Sequence, residues 1–174
     1  NQISDISGLR NIERLRIYNC INISDISALR NVKNLEIVNC ENISDISAFA
    51  HGTIKNLTIS KCNKITDVSA LEHSTIHTIK LHWCKGIKDV SGLKNIHTVK
   101  LIGCKSITDI NGLAYGTIEN LNLSYCDGIT DVSVLALCNL KVFILKNCYG
   151  LTDVSPLRNI NKLYLSNCHN ITDV

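Results

Sequence analysis

Cysteine stands at positions 20, 40, 62, 84, 104, 126, 148 and 168, and an aspartate follows each of them five residues later, with Asp5 extending that column upstream. Files of thiols and carboxylates at fixed spacing are raw material for metal sites, disulfide ladders and acid–base catalysis. A stretch at Leu81–Gly92, "LHWCKGIKDVSG", adds the chain's one tryptophan, a histidine and lysines to one such cysteine. Whether any of this is chemistry depends on how the chain holds it.

The cysteine spacing runs 20, 22, 22, 20, 22, 22, 20, and each cysteine is followed three residues on by isoleucine or leucine, from Ile23 to Ile171. Apolar residues precede each cysteine by eight, five and three positions, as Ile118, Leu121 and Leu123 precede Cys126. The unit reads LxxLxLxxCxxITDVSxL, and its repetition along the whole chain excludes chance. Short units close with "LRNI" or "LKNI"; long ones insert two residues, as in "FAHGTI" (Phe49 to Ile54) and "LAYGTI" (Leu113 to Ile118). The insertions spare the LxLxxC segment, so length varies on the opposite side of each coil.

Alternation in xLxLx puts Leu121 and Leu123 on one strand face and Asn120, Asn122 and Ser124 on the other. One coil cannot bury its own aliphatics, so neighbours must stack into a continuous core. Eight parallel strands about 4.8 Å apart give a ribbon of roughly 38 Å. Units this short leave room on the convex side only for turns or short 3₁₀ segments. The expected fold is a thin solenoid spanning residues 1–174 as one domain, a window on a longer array. The chain has no methionine, even at position 1, so its natural start is expected to lie upstream.

The pattern resembles the leucine-rich repeat, LxxLxLxxN/C, in its cysteine-containing form, over the whole chain. The "ITDVSxL" half and the short coil are similar to internalin repeats and to phosphatase-regulatory leucine-rich proteins. Two departures stand beside this: the next apolar residue falls three after the cysteine rather than two, and no capping module or F-box precedes the array. The resemblance implies a leucine-rich repeat solenoid that recognises a partner protein.

Against that frame the chemical candidates shrink. Aspartate followed by Ile or Val and Ser suits the start of a helical turn, where a carboxylate accepts backbone N–H groups. This is the expected role of Asp5, Asp25, Asp45, Asp67, Asp89, Asp109, Asp131, Asp153 and Asp173. Cysteines stacked in register hold their sulfurs in poor geometry for disulfides, and no C-x₂-C pair favours zinc. Eight buried free thiols are expected, with Cys138, off the ladder in a convex insertion, the most accessible. So many unpaired thiols, with no signal peptide, point to an intracellular, cytoplasmic location. The sequons at Asn22, Asn42, Asn56, Asn122 and Asn170 are then accidents of repeat phase. No nucleophile elbow, Walker loop or dinucleotide fingerprint occurs; no catalysis, cofactor or metal is implied. No window is apolar enough to span a membrane.

Of the 15 acidic residues, nine belong to the ladder, leaving six against 18 Lys and Arg. The variable surface is more basic than the net charge of +3 suggests. The outward strand positions carry six cations (Arg14, Arg16, Lys80, Lys100, Lys146, Lys162) and one acid, Glu36. An exposed tryptophan among cations has the composition of a binding hot spot. The expected partner-binding residues are Arg14, Arg16, Tyr18, Lys80, His82, Trp83, Lys100, Ile102, Tyr125, Lys146 and Tyr164. The alternative for Trp83 is packing over the strand end. The expected function is a non-catalytic scaffold whose strand face binds another protein with an acidic surface. Sparse lysines and Glu36 argue against a nucleic acid or other polyanion. A third reading is a structural element joined through open ends, because Ile3, Ile6 and Leu9, and Leu163, Leu165 and Ile171, would face water.

Overall fold

The computed structural model describes residues 3–10 and 12–172. Eight strands form a single parallel sheet in chain order: β1 (Arg14–Tyr18), β2 (Asn34–Val38), β3 (Asn56–Ser60), β4 (Thr78–His82), β5 (Thr98–Ile102), β6 (Asn120–Asn122), β7 (Val142–Lys146) and β8 (Lys162–Ser166). Register follows the repeat without slip, so Ile17 pairs with Ile37, Ile59 with Leu81 and Lys80 with Lys100. The inward residues, the ladder cysteines and the aliphatics after them form one continuous core. Each of β1 to β7 is followed by a 3₁₀ turn of three to five residues, such as Ser27–Asn31 or Ser91–Leu93, and no long helix occurs among the described residues. None is long and apolar enough to cross a membrane. This is a repeat solenoid with a strand face and a turn face.

The aspartate column acts one position earlier than a helix cap. The carboxylate of Asp25 accepts the N–H of Ser27 at 2.8 Å, while Ile26, at the cap position, makes no side-chain bond. The same bond recurs at 2.7–2.8 Å for Asp5, Asp45, Asp67, Asp89, Asp109, Asp131 and Asp153. These are Asx turns that set up the first 3₁₀ residue. Hydrogen bonds to the backbone and hydroxyl of the following serine hold Asp5, Asp25, Asp45, Asp67 and Asp131 below the usual carboxylate range. Asp173 lies outside the described residues.

None of the cysteines is joined in a disulfide, and all are buried except half-buried Cys138 and Cys168. They also do more than fill space. Sγ of Cys104, Cys126 and Cys148 donates to the carbonyls of Leu81, Leu101 and Leu123 in the preceding coil, at 3.3, 3.1 and 3.2 Å. A thiol is a weak donor, so each rung adds little alone, but a leucine could not supply it.

The two-residue insertions dock rather than loop free. Gly116 follows Tyr115, which has φ +56°, and a Cβ on Gly116 would overlap the carbonyl of Lys94; Thr117 N–H then bonds that carbonyl at 2.8 Å. Of the aliphatics expected to face water at the ends, Ile3, Leu163 and Leu165 do. Ile6 is 6% exposed and belongs to the core, and Leu9 and Ile171 are half-buried and packed against it.

Candidate interaction surface

The strand face ends in a column of left-handed backbone. The residue before each ladder cysteine has positive φ: Asn19, Asn39, Lys61, Trp83, Gly103, Tyr125, Asn147 and Asn167. Its N–H bonds the next coil, as Trp83 to Ile102 O and Tyr125 to Lys146 O, both at 2.7 Å. Asparagine and glycine reach this conformation at least cost, and they fill five of the eight positions. Trp83 and Tyr125 occupy it against their intrinsic preference, and strain of that kind concentrates at functional positions.

Those two aromatics flank Gly103. A Cβ there would sit 2.6 Å from Cδ2 of Trp83, so the indole lies over the glycine. Trp83 and Tyr125 stand 5.8 Å apart between ring centres, tilted by 44°. Both remain open to solvent, at 38% and 39%. Trp83 thus packs on its neighbour coil and still presents a face, which joins the two readings of it.

One coil to the side, the ribbon narrows. β6 ends two residues short of the other strands, and Asn122 Oδ1 accepts the N–H of Ser124 at 2.9 Å. Ser124 lies in the same column as Ile102 and Lys146, yet it is 2% exposed and its Oγ has no hydrogen-bond partner. Above it is a depression of about 410 Å³ lined by Ile102, Asn122, Ser124, Tyr125, Ile144, Lys146 and Tyr164. A hollow of about 170 Å³ shares Asn122 and Ile144 and extends the groove to Lys100.

Charge completes the picture. Four non-ladder acids are already paired: Glu36 with Arg16, Glu72 with Lys94, Glu119 with Lys141 and His97, Asp127 with Lys105. Among the described residues, Lys80, Lys100 and Lys146 join no ion pair, although Lys80 and Lys100 are register neighbours. Adjacent like charges repel, and nothing on this face offsets them. Half-buried His82 lies two residues along β4 from Lys80; burial, then the charges of Lys80 and Lys100, push its pKa down and favour the neutral ring.

The residues expected from the sequence therefore divide. Ile102, Tyr125, Lys146 and Tyr164 meet at the depression; Lys80, His82, Trp83 and Lys100 form the adjoining half. Arg14, Arg16 and Tyr18 stand apart on β1, where Glu36 engages Arg16 at 2.8 Å and the Tyr18 hydroxyl at 2.8 Å. Gly103, Asn122, Ser124 and Ile144 were not expected. No residue type marked Asn122 or Ser124, since serine also stands at 60 and 166 and asparagine at 34, 56 and 120 in the outward columns. His77 and His97 stack at 4.3 Å, with His97 also on Glu119 at 3.1 Å. His73 and His77 have the H-x₃-H spacing of paired ligands, but one closes a 3₁₀ turn and the other lies just before β4. No group of three potential metal ligands gathers among the described residues. No protein-family model matches this chain, and no curated protein matches it.

Proposed function

We propose that this chain is a leucine-rich repeat of the short, cysteine-containing type that serves as a non-catalytic scaffold, binding an acidic protein partner through its strand face. The observation that carries the reading is the set of lysines without counter-charges, Lys80, Lys100 and Lys146, around a partly exposed aromatic and apolar patch. A partner carboxylate would relieve repulsion that the fold leaves standing, and the rigid ribbon would lose little entropy on binding. Trp83 and Tyr125 are the anchors of the patch, since rigid aromatics dominate interface energetics. Free thiols in this number suit a reducing, intracellular compartment.

The test is affinity capture from the source cell with the wild-type chain, a Lys80→Glu/Lys100→Glu variant and a turn-face control, Lys64→Ala. The reading expects one set of captured proteins, kept by the control and lost by the double variant. Capture that survives the double variant but fails with Lys64→Ala would move the site to the turn face. Capture dominated by nucleic acid and abolished by nuclease would favour polyanion binding.

A further inference from the structure

We infer that the depression over Ser124 is a specificity pocket for one large apolar side chain of an extended acidic segment, with a neighbouring carboxylate of that segment on Lys146. This rests on the strand-face reading and adds a site and a ligand chemistry to it. Three independent features converge there. The first is shape: β6 stops at Asn122, and the strand face sinks where its neighbours β5 and β7 continue. The second is composition, since Ile102, Ile144, Tyr125 and Tyr164 give apolar walls and Lys146 one unpaired charge at the rim.

The third is the orphaned hydroxyl. Ser124 is almost wholly buried and its Oγ lacks a partner. Buried polar groups in native proteins are nearly always paired, and one left over beneath a depression is placed to turn toward a backbone amide of the bound segment, whose apolar side chain takes the walls. An apolar residue would fill the floor without that cost, so serine is the wrong choice for packing and a suitable one for recognition. The depression is open and about 410 Å³, small for an elongated organic ligand but ample for a single Phe, Leu or Met side chain. The adjoining hollow toward Lys100 gives the segment a direction across β5 to β7 and a second cation.

Random nonapeptides displayed on phage, selected on the immobilised 174-residue chain, test this directly. The expected enrichment is a large apolar residue with Asp or Glu within two positions. By fluorescence anisotropy, Ser124→Ala should weaken a selected peptide at least fivefold while the melting temperature holds or rises, a pairing that a merely structural serine would not give. Lys146→Glu should weaken it at least tenfold, and selection on that variant should replace Asp and Glu with Lys or Arg. Peptides sensitive to Lys80→Glu but indifferent to Ser124→Ala and Lys146→Glu would overturn the pocket and leave the strand-face reading intact. Peptides indifferent to all of these would overturn both. Enrichment of acidic runs without an apolar residue, or no enrichment, would overturn the pocket.

Discussion

The indole of Trp83 lies over Gly103, in space that any side chain at that position would fill. The left-handed backbone at both residues, with φ +58° and +70°, sets that stacking. Gly103→Ala should therefore cost about 1–2 kcal/mol from the conformation alone and lift the indole from its seat. With one tryptophan in the chain, emission reports on Trp83 directly, and a red shift is expected. An unchanged spectrum and an unchanged melting curve would remove the stacking from the account.

The left-handed column makes a second prediction at Lys61, which sits beside Asn39 at φ +56°. Asparagine tolerates this conformation better, and in this column Asn39 Nδ2 already donates a hydrogen bond to Asn19 Oδ1 at 2.8 Å. Lys61→Asn should stabilise the fold by about 0.5 kcal/mol, read as a shift in the urea midpoint. A loss of stability would mean the column does not follow backbone preference.

Thiol reactivity separates the cysteines. Burial pushes Cys62 up to about 11 and Cys104 and Cys126 up to about 12, so little thiolate exists there at neutral pH. Half-buried Cys138 and Cys168 should label first, ahead of the seven buried thiols. Cys138 does not stand alone as the sequence suggested, because Cys168, a ladder cysteine expected to be buried, is half-buried as well. Peptide mapping after brief alkylation of the native fold checks the order, and early labelling of Cys104 or Cys126 would contradict it.

Acid should unfold the solenoid coil by coil in chemistry, if not in time. The depressed carboxylates of Asp5, Asp25, Asp45, Asp67 and Asp131 bind fewer protons folded than unfolded. Their contribution is complete above the unfolded value near 3.9 and disappears as pH falls through the lower folded values. His82, whose pKa is also depressed, favours the folded state when neutral, so stability should begin to decline below about 6.5. His82→Gln should flatten that upper limb only. A stability profile that rises on acidification from 7 to 5 would contradict the sign.

The solenoid was legible because its determinants repeat: strand register, the inward aliphatics, the buried thiols and the aspartate turns each recur in every coil. What repeats once per coil can be read by alignment of the chain against itself. The depression could not be read that way, because it arises where one coil departs from the rest. Asn122 looks like any outward polar residue until its side chain bonds Ser124 N–H and ends β6 early. The left-handed column lay between these cases: four asparagines and a glycine at one position were a visible signal for positive φ. Its consequence for Trp83 was not, because stacking on Gly103 joins two coils. Pairing hid in the same way, since Glu36 neutralises Arg16 only through the register of β1 and β2.

Site-specific photo-cross-linking tests the strand-face account most directly. A photoreactive residue placed at Thr58, Ile102 or Tyr164 on the strand face, or at Lys64, Lys88 or Leu137 away from it, would be irradiated in source-cell extract. One dominant acidic protein adduct is expected from positions 102 and 164, weaker at 58, and none from 64, 88 and 137. A dominant adduct from the second group, with none from the first, would contradict it.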